Sequence, residues 1–188
     1  MDIFIYYFKE FLNYLTLIGT GIAVILLLNI IYLKATSKSS NWLAQLIQNK
    51  ALLWVFIVSL IATLGSLFYS EIAGYQPCKL CWFQRIFMYP LPLLILMALI
   101  RKEIWIKPYA LAMSVIGQVI SLYHYFLQVG TLYNIPVNSL APCSDVGVSI
   151  SCTSFSFIRF GYITIPMMSF IAFSLITIIL LTKTDKRN

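Results

Sequence analysis

Five stretches of this sequence run on without a charged side chain: residues 12–33, 51–69, 86–100, 109–127 and 162–181. A bilayer's hydrocarbon core takes about 20 apolar residues in a helix. Four of the stretches have that length. The third is short on its own and fills out when it is started at Cys81, which places Arg85 one turn inside it. The pattern predicts an all-α membrane protein with five spans. Strict alternation of polar and apolar residues is absent, which disfavours a β-barrel. The chain is 61% hydrophobic and 10% charged, with mean hydropathy +0.89. A soluble domain has about 45–50% apolar and about 25% charged residues, so that class is excluded, and the composition argues against disorder. With 188 residues the chain is too short for most transporters built from two repeated halves. The first stretch is longer than a signal-peptide core of about 7–15 residues, and Asp2, Lys9 and Glu10 precede it rather than a basic cluster. It is therefore read as a span.

Charge orients the five spans. With the N-terminus outside, the inner segments hold Lys34, Lys38, Lys50, Arg101, Lys102, Lys107, Lys183, Lys186 and Arg187 against Glu103 and Asp185. The outer segments hold Lys9, Lys79, Arg85 and Arg159 against Asp2, Glu10, Glu71 and Asp145, which cancel. The whole net charge of +7 then sits inside, as the positive-inside rule requires. A nucleic-acid patch is a poor reading of charges scattered over short loops. In this orientation all four cysteines lie on the extracytoplasmic side, where disulfides form and persist. Cys78 and Cys81 fall at the outer end of the third span, and Cys143 and Cys152 in the outer loop 128–161.

The first pair reads Gln76-Pro77-Cys78-Lys79-Leu80-Cys81-Trp82-Phe83-Gln84-Arg85. A Cys-x-x-Cys pair can close a small disulfide ring, and a thiolate at a helix N-terminus is stabilised by free N–H groups and the helix dipole. Pro77 disfavours helix before it, so the helix is expected to start near Cys78. Arg85, four residues after Cys81, shares its face. A cation one turn inside a membrane helix marks a functional site by default; it would lower the pKa of Cys81, although a snorkelling Arg is an alternative. Four cysteines also suit a zinc site or two structural disulfides, and three pairings are open. The second pair lies in a Ser- and Gly-rich segment, Pro142 to Cys152, suited to carrying a thiol or disulfide outward.

His124 sits near the outer end of the fourth span, at a depth similar to Arg85. It is either an interfacial residue or a partner of Arg85 at the oxygen of a flat, apolar electron acceptor. Trp82, Phe83, Phe87, Tyr123 and Phe126 are candidate aromatic walls, though an aromatic belt needs no ligand. Pro90 and Pro92 should bend the third span. Residues 154–161 look like an interfacial segment, followed by a turn at Gly161 and an early-helix Pro166.

At Cys78-Lys79-Leu80-Cys81, Gln84-Arg85 and the apolar run 86–91, the chain resembles the DsbB/BdbC family of disulfide bond formation proteins. Tyr123-His124-Tyr125-Phe126-Leu127-Gln128, Pro142-Cys143 and the run 161–166 add to the resemblance, which covers roughly residues 50–182. The family consists of bacterial membrane thiol oxidoreductases that pass electrons from a thioredoxin-like partner to quinone. The resemblance implies a catalytic four-helix transmembrane bundle over 50–182, preceded by an additional N-terminal transmembrane helix and cytoplasmic linker (1–49) and followed by a cytoplasmic tail (183–188). It implies that Cys81 faces the quinone, that Cys78 is its disulfide partner, and that Arg85 binds and polarises the quinone; the acceptor-side reading of His124 would place it at the same quinone. Cys143 would meet the reactive cysteine of a DsbA/BdbD-like partner, and Cys152 would pass the disulfide to Cys78. The expected setting is the bacterial cell (inner) membrane, and the expected cofactor ubiquinone or menaquinone. The loop cysteines are closer together than in the best-known members, and the first helix is an addition to the family's four. A conduit carrying reducing equivalents outward would need cysteines in the cytoplasmic half of the helices, and none is there. A structural or metal-binding subunit is the competing class.

Overall fold

The computed structural model describes residues 2–36, 42–133, 135 and 158–182. Cys143 and Cys152 lie outside the described residues. The protein is all-helical there, apart from one isolated bridge between Arg159 and Ile163. Helix α1 covers Asp2–Ala35, α2 Trp42–Asn49, α3 Ala51–Leu67, α4 Lys79–Met88, α5 Pro90–Arg101, α6 Ile106–Leu132 and α7 Ile165–Leu181.

Six of these helices, all but α2, make five apolar rods. The 34 residues of α1 run about 51 Å at about 1.5 Å per residue, more than a hydrocarbon core needs. Helix α3 continues through one π-helical turn, Phe68–Ile72, into a 22-residue rod. Helices α4 and α5 form one rod, Lys79–Arg101, interrupted at Tyr89. Pro90 and Pro92 have no N–H to give the preceding turn, so the interruption falls where the prolines predict it. Lys102 closes α5 in the left-handed conformation (φ 55°), with Glu103 N–H donating back to the Ala98 carbonyl at 3.0 Å. The fifth rod is α7, with Pro166 in its first turn. It begins three residues later than the uncharged stretch, because residues 159–163 close a tight turn through Phe160 (φ 51°) and Gly161 (φ 78°). Helix α2 was not expected in the linker; it is tied down by Gln48, whose side-chain amide donates to the Ile179 carbonyl at 3.2 Å.

Helix α7 is the hub, contacted by α1, α3 and α6. Val55, Leu91, Ile95, Phe173 and Ile176 are fully buried where α3, α5 and α7 meet. Outward faces such as Leu93, Ile100 and Val119 are exposed and apolar, as a lipid-facing surface must be. Helices α6 and α7 are also joined by three side-chain hydrogen bonds. Thr177 donates to Ser114 (3.0 Å), Gln118 to Ser174 (2.9 Å) and Ser121 to Ser169 (3.1 Å). Each is worth about 0.6 kcal/mol in a membrane, so the close packing alongside them carries more.

That packing depends on Gly117. A Cβ there would stand 2.3 Å from the buried Phe173 ring. Gly117→Ala is expected to cost ~1–3 kcal/mol by overpacking, read as a lower apparent Tm in detergent. Gly21→Ala, at a helical position with nothing within 4 Å, should leave the Tm unchanged. Equal melting of the two variants would refute this account of the α6–α7 contact.

Candidate functional site

The approach to the cysteines is built from local geometry. After the π-helical turn, Gly74 adopts φ 72°, which a residue with a Cβ takes at a cost. Tyr75 N–H bonds the Tyr69 carbonyl at 2.9 Å. Cys78 is extended (φ −72°, ψ 173°) and is the N-cap of α4; its carbonyl takes the first helical bond, from Trp82 N–H at 3.1 Å. Cys81 is therefore one turn in, and the two sulfurs lie 3.3 Å apart as free thiols. Cys78 is buried against Leu80 and Leu127, while Cys81 is half-buried.

His124 comes from α6 and is 1% exposed. Its Nε2 lies 3.6 Å from Cys78 Sγ and its Nδ1 lies 3.1 Å from Gln84 Nε2. The Gln84 NH2 group can only donate, so Nδ1 accepts and Nε2 carries the proton that points to the sulfur. The Cys78 thiol is held well below the ordinary thiol range, first by the Cys81 S–H donating to it, against burial, and with help from His124. The anion is thus favoured on Cys78. The expectation from sequence was that Arg85 would act on Cys81.

Arg85 is turned inward toward α3. Its Nη2 donates to the Ser66 carbonyl at 3.3 Å rather than to either sulfur. The guanidinium lies over the Trp82 and Tyr89 rings at 5.3 and 5.8 Å, and the Tyr89 hydroxyl donates to Ser66 Oγ at 3.1 Å. A snorkelling Arg would point to the interface instead.

Cys78, Cys81, Gln84, Arg85 and His124 all line one cavity of about 300 Å³. The structure thereby brings together four of the six residues singled out from sequence. Ligand pockets run from about 300 Å³ upward and are mostly apolar with a few converging polar groups. The expected aromatic walls are not there. Trp82, Phe83, Phe87, Tyr123 and Phe126 are absent from the lining, and all but the half-buried Phe87 are exposed. The aromatic lining is Tyr69, Tyr75 and Tyr89. Sequence reasoning also missed Gln84 and Ser66. Gln84 carried a signal, because it stands three residues after Cys81 and shares its face. Ser66 carried none.

The start of α1 is tied to the segments around the cysteine pair and α7. Lys9 of α1 donates to the Tyr75 hydroxyl at 3.0 Å, and Glu10 pairs with Arg159. Both contacts put the start of α1 at the same end of the bundle as the cysteine pair.

Residues 48–182 match the family described as "Disulfide bond formation protein DsbB". "Disulfide bond formation protein C" of Bacillus subtilis is 41% identical over 133 residues, 70% of this chain and 91% of that protein. The "SPbeta prophage-derived disulfide bond formation protein B" of the same species is 39% identical over 124 residues, 66% of this chain and 78% of its own length. The "Probable disulfide formation protein" of Oceanobacillus iheyensis is 40% identical over 146 residues, 78% of this chain and 90% of that protein. No solved structure matches. The fold and site define a multi-pass membrane protein with a paired-cysteine centre beside an apolar cavity. The chain belongs to the DsbB family of disulfide bond formation proteins.

Proposed function

We propose that this protein is a dithiol:quinone oxidoreductase of the cell membrane. It reoxidises an extracytoplasmic thioredoxin-like partner of the DsbA/BdbD kind and delivers two electrons to quinone. Residues 50–182 are the catalytic unit, and the cysteines and N-terminus face outward. The observation that carries the reading is the shared cavity, which places both sulfurs beside an inward-turned Arg85 and a buried His124. The residues present fit a quinone head group: the lining is largely apolar, and the Arg85 guanidinium supplies N–H donors beside Cys81. A bound quinone supplies the two-electron acceptor.

The chain's own residues do the rest. With the pair as a disulfide, an incoming thiolate attacks Cys78, the Cys78–Cys81 bond breaks and Cys81 leaves as thiolate. A second thiol then displaces Cys78, and the His124 Nε2–H stabilises the charge left on its sulfur. Cys143 and Cys152 are assigned the transfer from the partner's dithiol to this pair. When Cys78 (thiolate) and Cys81 (thiol) return to the disulfide, two electrons and the one remaining thiol proton leave them and one S–S bond forms; the electrons go to a quinone held there, with that proton and one more from solvent. The sulfurs then approach by about 1.3 Å to reach bonding distance. Gln84 holds the His124 ring, and Ser66 and Tyr89 hold Arg85. The overall drive comes from the higher potential of the acceptor, since the partner itself is an oxidant.

The test is stoichiometric. Purified protein in detergent, given reduced thioredoxin-like partner and quinone without oxygen, should reduce one quinone per partner disulfide formed. Many turnovers with quinone removed and oxygen absent would sink the proposal. A second reading is a metal-binding subunit, favoured by Cys78, Cys81 and His124, whose ligand atoms all lie within 4.8 Å of one another. The family match, to disulfide bond formation proteins, favours the redox reading. Zinc would protect the thiols from alkylation until a chelator is added, whereas a disulfide would need a reductant.

A further inference from the structure

We propose that α1 is the lipid-side wall of the quinone cavity, and that its residues Leu15, Ile18 and Ile22 receive the quinone's apolar tail and set which tails are accepted. The inference rests on the quinone reading and goes beyond it, because α1 lies outside the span 48–182 that matches the family.

The cavity has two chemically different ends. The polar end is Cys78, Cys81, Gln84, Arg85 and His124. The other is a stripe of α1 at helical spacing, Leu12, Leu15, Gly19 and Ile22, facing Val58, Ile61 and Ala62 of α3. Thr16 also lines it, but its hydroxyl is spent on the Leu12 carbonyl at 2.8 Å. This wall therefore offers apolar contact and makes no demand for a polar partner.

The same cavity opens sideways. Ile18, Ile22 and Ile61 line it and are nevertheless 59%, 46% and 39% exposed. They form a mouth between α1 and α3, near the middle of both rods, at the depth of the hydrocarbon core. A flat head group held at Arg85 with a linear apolar chain fits that shape: the chain leaves through the mouth into lipid.

The wall is fixed in place. Leu12 is buried against Phe68 and Tyr69, and a Cβ on Gly65 would already touch it at 3.4 Å. A Cβ on Gly19 would stand 3.4 Å from Ile171 of α7. Further along, Ala23 is buried against Ile171 and Leu175. The mouth is thus bounded on one side by a docked helix.

The experiment compares Ile22→Trp and Ile22→Ala with Leu17→Trp, which is on α1, 40% exposed and outside the lining. Two readouts are taken: quinone co-purifying per mole of protein, and the ratio of KM for a long-tailed quinone to KM for a tailless one. Ile22→Trp narrows the mouth and should lose most co-purified quinone and raise the KM ratio about tenfold or more. Ile22→Ala, which keeps the helix packing, should weaken long-tail binding about tenfold. Leu17→Trp should match wild type in both. If wild type carries and reduces quinone while all three variants match it, the α1 assignment falls and the functional reading stands. If Ile22→Trp raises both KM values equally, the wall serves the head group and the tail assignment falls. If wild type carries an acyl lipid instead and reduces no quinone, the functional reading falls and this inference with it.

Discussion

Cys81→Ser is expected to abolish quinone-dependent oxidation of the partner, by on the order of 10³-fold or more, while leaving Cys78 as a thiolate. A hydroxyl cannot form a disulfide, so the two-electron step has no second sulfur. It can still donate a hydrogen bond to Cys78 Sγ, which now takes one from Cys81 at 3.3 Å. That donor is the largest cause of the lowered Cys78 pKa. The thiolate absorbance of reduced Cys81→Ser should therefore persist to a lower pH than that of an ordinary thiol. Cys81→Ala removes the donor as well, so its Cys78 should titrate at higher pH. The pair of variants separates loss of redox chemistry from loss of thiolate. Residual turnover above about a hundredth of wild type in Cys81→Ser would overturn the roles assigned to the pair.

Much of the fold was legible because hydropathy and proline act locally. Uncharged stretches located five rods, and Pro90 and Pro92 located the interruption at Tyr89. Helix α2 escaped because eight residues inside a polar linker carry little signal. Its anchor, the Ile179 carbonyl, is 131 positions away. The cysteine pair with Arg85 was legible for the same local reason, since spacing along one helix fixes a shared face.

The misplaced aromatics show where local reasoning failed. Trp82 and Phe83 follow Cys81 in sequence, but each residue turns about 100° around the helix, so they face away from it. Tyr123 and Phe126 flank His124 in the same way. Tyr89 is four residues after Arg85 and was legible by spacing, yet it went unused. The His124 contact was half legible. Its depth followed from counting along the span, but its partners, Cys78 and Gln84, depend on how α4 packs on α6. The role of α1 was invisible, because a helix without titratable groups inside its apolar run announces a span and nothing more.

Arg85→Ala is expected to raise the KM for quinone about 10–100-fold while partner exchange with Cys78 persists. A hydrogen bond to a charged group is worth about 1.5–3 kcal/mol, which is that range in affinity. Arg85 is poised for the task because Ser66 and Tyr89 fix it from two sides. Its charge sits in the same cavity as Cys81. Arg85→Lys should fall between wild type and Ala, because one ammonium replaces a planar fork and cannot both reach the Ser66 carbonyl and present a second donor. The check is steady-state kinetics at varied quinone, paired with a stopped-flow measurement of partner oxidation in a single turnover. If KM stays unchanged while single-turnover partner oxidation collapses, Arg85 serves the cysteines and not the acceptor.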